Sequence, residues 1–152
     1  MDIKEYYERV GKNKNLPSFE EINSEFEIDS IEKGNFAKQI AGKIVEKTEN
    51  FRKVLEEFLH SDGSSIAVLM EIKGMDEKDK DKINSIYKKL TILERNFLLV
   101  DLDDNEEGLL GFIEKSLEKW ESIKPSLKGL ILKAKNSWQD DSKTDAKLRY
   151  LG

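Results

Sequence analysis

Apolar residues recur along this chain at intervals of three and four almost from end to end, the period of a helix with one buried side. Between residues 35 and 60, Phe36, Ile40, Ile44, Thr48, Phe51, Leu55 and Phe58 hold one stripe in one direction, and Ala37, Ala41, Val45, Val54 and Leu59 widen it. A second stripe, Ile83, Ile86, Leu90, Leu93, Phe97 and Val100, alternates three and four without a break and has the spacing of a heptad seam. A third, Leu109, Phe112, Ile113, Leu117 and Trp120, predicts a helix from about residue 105. Pro125 interrupts it, and the spacing predicts a further helix whose face is Leu127, Leu130, Ile131, Ala134 and Trp138.

Two short helices precede these. Ile3, Tyr6, Tyr7 and Val10 share a face behind Asp2, with Glu5 three residues on and Gly11 as the stop. Ser18 and Glu21 form a second capping pair ahead of Phe19, Ile22 and Phe26. The run "IAVLMEI", residues 66 to 72, is apolar almost all round and fits either a strand or a buried helix. Its length, with no second strand to pair with, favours a short buried helix. The expected fold is therefore all-α: a compact bundle of about four main helices with one or two short N-terminal helices. Residues 1–139 are expected to form a single domain, and 140–152, which lack a period, a flexible C-terminal tail.

Composition narrows the function more than the fold. A chain of 152 residues can bury about 70% of its unfolded surface without staples. It has no cysteine, which removes disulfides, thiolate metal sites and cysteine nucleophiles, and fits a reducing cytoplasm. Charged and hydrophobic residues each make up 38%, enough of the second to form a core. Acid and lysine are interleaved, the net charge is −5, and arginine occurs only at 9, 52, 95 and 149. A strongly basic nucleic-acid footprint is absent. The charged start "MDIKEYYERV" does not read as a signal peptide, and no apolar run reaches the roughly 18 residues of a membrane span. A soluble cytoplasmic protein is the expectation.

Few residue groups suggest chemistry. In "DLDDNEEGLLGF", residues 101 to 112, Asp101, Asp103 and Asn105 match the first ligands of an EF-hand. Glu106 occupies the place of its turn glycine and Phe112 that of its closing carboxylate. The stretch reads better as a turn followed by a helix whose first turn carries acids. Glu57 and His60 form Glu-x-x-His, half of a bundle-type di-iron set, but His60 is the only histidine. Glu71 and Glu94 lie in or beside apolar stretches and would be the pair to consider for acid–base work. "SDGSS", residues 61 to 65, offers backbone amides that any capped helix also offers. No nucleophile motif, phosphate loop or dinucleotide fingerprint occurs. No catalytic residue, cofactor or metal is assigned.

Three lysines of the last helix, Lys124, Lys128 and Lys135, lie near one face and could follow phosphates. Leu132 is off the main stripe of that helix, and Leu148, Tyr150 and Leu151 are apolar residues in the tail; these four, with Tyr6 and Tyr7, are candidates for contact with a partner. The segments "LPSFEEINSEFEI" and "IYKKLTILERN", with a tryptophan-bearing C-terminal helix pair, resemble small, uncharacterised all-helical archaeal proteins. That resemblance implies a helical fold and no residue roles. The leading expectation is a non-enzymatic helical protein-binding module or complex subunit, an adaptor or scaffold that meets a protein partner or a second copy of itself. The alternative is a nucleic-acid or ribonucleoprotein accessory using the lysine face. No membrane association is expected.

Overall fold

Each helix begins where a side chain satisfies backbone N–H groups that the helix itself leaves open. The computed structural model describes residues 1–60 and 65–139. Asp2 accepts the Glu5 N–H at 2.8 Å and starts α1, Ile3–Val10, which Gly11 closes. Ser18 and Glu21 exchange bonds of 3.1 and 2.9 Å ahead of α2, Phe19–Phe26. Glu27 ends α2 in the left-handed region at φ 55°, and a 3-10 turn, Ile28–Ser30, follows. Gly34, at φ 102°, makes the turn into α3, Phe36–Leu59, whose first turn is capped by Asn35. Ser65 caps α4, Ile66–Lys73. Asp76 and Asp79 cap each other's N–H groups, at 2.9 and 3.0 Å, ahead of α5, Glu77–Asp103. Asn105 accepts the Gly108 N–H at 3.1 Å and opens α6, Glu106–Gln139.

The chain is all-α, and no strand occurs among the described residues. Residues 66 to 72 are helical, although only Val68 and Met70 of α4 are buried and Ile66 is exposed. The expected break at Pro125 is corrected: α6 continues through it, so three long helices replace two and a broken pair. An internal proline removes one backbone donor and crowds the carbonyl four residues earlier, a cost of about 3 kcal/mol. Here that carbonyl belongs to Glu121, whose residue is exposed to water, while Ile123 and Leu127 on either side of the proline are buried. Burial on both flanks holds the helix through a defect that a sequence pattern reads as a stop.

The chain divides into two compact units, and all three long helices contribute to each. The first comprises Met1–Asn50 and Leu90–Glu121. Ile40, Ile44 and Leu90 are buried in it with Leu109, Ile113 and Trp120. Thr48 is fully buried in the stripe of α3, and its hydroxyl donates to the Val45 carbonyl at 3.0 Å, so it adds no unmet polar group. Trp120 Nε1 donates to Glu25 Oε1 at 2.7 Å and its ring lies 6.3 Å from that of Phe26, tying α6 to α2. The Lys47 ammonium reaches the Glu25 backbone carbonyl and stands over the Phe26 ring.

Tyr6 and Tyr7, expected as exposed contacts, are 5% and 3% exposed and belong to this core. Tyr7 Oη donates to the Pro17 carbonyl at 2.7 Å; Tyr6 packs its ring 5.3 Å from Phe36, and its buried hydroxyl lies near the Glu106 carboxylate without a well-formed hydrogen bond to it. Burial pushes the Tyr6 phenol up to about 12, with the charge of Glu106 acting in the same direction. An unmet buried hydroxyl costs more than a missing one. Tyr6→Phe is therefore expected to leave stability unchanged or raise it, whereas Tyr7→Phe should lower it by about 1 kcal/mol. Paired urea melts of the two variants check this, and an equal loss in both would contradict it.

The second unit comprises Phe51–Lys89 and the described part of Ser122–Gly152. Leu55, Met70, Ile83 and Ile86 are buried in it with Ile123, Leu127 and Leu130. α4 ends close to α6: a Cβ at Gly74 would stand 2.7 Å from Ser137 Oγ. Asp79, which completes the cap of α5, is also the partner of Lys133 on α6, with Nζ 2.6 Å from Oδ2.

Candidate protein-binding face

α5 carries two apolar faces. One is the seam expected from the sequence: Ile83, Ile86, Leu90 and Leu93 are buried, with Phe97 and Val100 half-buried. The other lies on the opposite side of the helix within the first unit, where Ile92 is 58% exposed, Leu98 50%, Leu99 61% and Leu102 82%. At 100° per residue these four positions fall within about a third of the helix circumference, and Arg95 lies among them. Single exposed leucines are ordinary on a protein surface, whereas a row on one helix face marks a place where water is readily displaced. The sequence signal was the run "FLLVDL" at 97 to 102, which holds more apolar residues than one helical stripe can bury.

The C-terminal end of this face runs into the corner between α5 and α6. Asp104 turns the chain at φ 46° and its N–H reaches the Val100 and Asp101 carbonyls. Asp101 and Asp103 are the last residues of α5, and Asn105 is the cap of α6, so the three oxygen donors considered for calcium sit on helices instead of around a loop. Asp101 pairs with Lys38 on α3 at 2.9 Å. Val100, Asp103, Asn105, Glu107 and Gly108 line a shallow, open depression there. Among the described residues no three potential ligands gather as a metal site requires. His60 follows the last residue of α3, one turn from Glu57.

Glu94 is buried on α5 and interacts with its surroundings, while Glu71 is half-buried on α4. They belong to different units, Glu94 to the first and Glu71 to the second.

In the second unit Leu132 is 50% exposed on α6, and Ile131 and Trp138 are 37% and 39% exposed. Lys124, Lys128 and Lys135 lie along one side of that helix; Lys128 and Lys135 are exposed, and Lys124 is half-buried and engaged by a neighbour. Lys133 stands apart from them, held by Asp79. Leu148, Tyr150 and Leu151, and most of the "SDGSS" segment, lie outside the described residues.

The class that fold and surface define is an all-α protein with an apolar helix face open to solvent, and no helix among the described residues is long and apolar enough to cross a membrane. The chain matches no family model, no curated protein and no solved structure.

Proposed function

We propose that this chain is a non-enzymatic helical module that binds a polypeptide partner, a small adaptor or subunit working through the outer face of α5. The observation that carries the reading is the row Ile92, Leu98, Leu99 and Leu102 on the solvent side of a regular helix. Each of these side chains keeps half or more of its surface in water, and full burial of one from a fully exposed state is worth about 1.5–3 kcal/mol, so covering the row gives the favourable contribution that must offset the cost of association. Leu132 adds an exposed apolar residue on α6.

A test uses the full chain immobilised in native extract beside the double variant Leu99→Glu, Leu102→Glu. The wild type is expected to retain a protein in stoichiometric amount, another species or a second copy of itself, and the variant to lose it. Equal retention by both, or by neither, removes the reading.

One observation favours the nucleic-acid alternative. Trp138 is 39% exposed three residues beyond Lys135, a stacking partner that the sequence placed on the apolar edge. If that face binds nucleic acid, affinity falls steeply with salt, and falls further when Lys124, Lys128 and Lys135 become glutamate. Absence of binding to mixed RNA or DNA at low salt removes it.

A further inference from the structure

We infer that the occupant of the α5 face is a second copy of this chain, packed antiparallel against it, helix on helix. The inference deepens the binding-module reading and rests on it. Ile92, Arg95, Leu99 and Leu102 are spaced three, four and three, a second heptad seam on the back of the first. With a two-fold axis crossing the helix beside residue 97, this seam meets itself: Ile92 faces Leu102 of the second copy, and Arg95 faces Leu99 of the second copy, each pair occurring twice. Leu98 flanks the axis and faces its own equivalent. Arg95 can lay its aliphatic stem over the opposing leucine and keep its guanidinium at the wet edge.

Charge selects the orientation. Along one flank of the exposed seam stand Lys89, Asn96 and Asp103, one heptad apart on a single unbroken helix and all exposed: positive, neutral, negative. In the antiparallel arrangement Lys89 meets Asp103 of the second copy at both ends and Asn96 meets Asn96 at the centre. In a parallel arrangement this flank would face Asn84, Thr91 and Leu98 of the second copy instead, and neither charge would meet its opposite. A surface that answers itself in both apolar spacing and charge order is what an isologous interface requires. An unrelated partner would demand neither symmetry. One helix face buries less than the roughly 800 Å² per partner of standard complexes, so the dimer should be weak and concentration-dependent.

The decisive measurement is sedimentation equilibrium of the full chain from low micromolar to about 0.5 mM, a range that brackets weak association. The wild type is expected to rise from 17.6 kDa toward twice that mass, and Leu99→Glu to remain at the monomer mass with an unchanged helical circular dichroism spectrum. Lys89→Glu and Asp103→Lys should each weaken the dimer about tenfold or more, and the double exchange should restore it, because each reversed charge again meets its opposite. The chain has no cysteine, so Leu98→Cys supplies a single thiol that a short bis-maleimide should couple into a covalent dimer. A wild type that stays monomeric throughout, a dimer that survives Leu99→Glu, or a double exchange that fails to restore pairing overturns the inference. If the monomeric protein still retains a different protein through Leu99 and Leu102, the binding-module reading stands without self-pairing; if it retains none, both fall.

Discussion

Trp120→Ala is expected to destabilise the protein by about 3–5 kcal/mol, the range for removing a buried aromatic from a packed core. Trp120 is 2% exposed, lies against Phe26 and donates its indole N–H to Glu25. Alanine would leave a cavity in the first unit and strand that carboxylate beside the Lys47 side chain, which contacts Glu25 and the Phe26 ring. For a chain of this size the loss corresponds to a melting temperature lower by about 6–20 °C. Trp120→Phe separates the two contributions: most of the apolar volume stays and the hydrogen bond goes, for a loss of about 1–2 kcal/mol. Thermal melts of both variants check the ordering. Equal losses would mean that the Glu25 bond, and not the packing, ties α2 to α6.

Asp79→Ala should cost about 1–3 kcal/mol, because one carboxylate answers two demands in the second unit. Its Oδ2 accepts from the Lys133 ammonium and from the Asp76 N–H, and the side chain is only 4% exposed. The bond from Lys133, then that from the Asp76 backbone, hold its carboxyl below the ordinary value of 3.8. A carboxyl lowered on folding adds stability that is complete above the ordinary value and is lost as pH falls through the lowered one. Wild-type stability should therefore drop on acidification below about pH 4, and Asp79→Asn should lack this part of the drop. Lys133→Met should lower stability less than Asp79→Ala, since the lysine is 48% exposed and the cap of α5 survives its loss. Urea titrations of the three variants between about pH 2.5 and 7 give both readings; an Asp79→Asn variant with the full acid drop would assign it to other carboxylates.

Much of the fold was legible because it is local. Helix starts at Asp2, Ser18, Asp76 and Asn105 depend on side chains bonding to N–H groups three residues away, and such signals are written in order along the chain. The stripe of α3 and the seam of α5 follow from the helical period alone. The corner at residues 101 to 112, a turn and an acidic helix start, is legible for the same reason. The candidate face lies away from the residues that the sequence singles out for contact, Leu132, Leu148, Tyr150 and Leu151. The run at 97 to 102 was visibly richer in apolar residues than one stripe needs, but periodicity ranks the residues of a helix without saying which face another helix covers.

What the sequence determined by itself, then, is the helical class, the caps and the register of the main stripes, since each arises from contacts within four residues. Tertiary structure decided the rest. It carried α6 through Pro125, because apolar burial on both sides outweighs one missing hydrogen bond. It took Tyr6 and Tyr7 into the core, because the face of α1 that they share with Ile3 is covered by other segments, Phe36 and Phe19 among them. It joined Asp79 to Lys133 across 54 positions, and it left Ile92, Leu98, Leu99 and Leu102 in water. Whether an apolar side chain is buried depends on what the chain brings against it, and that is a property of distant segments meeting, which no window of neighbouring residues contains.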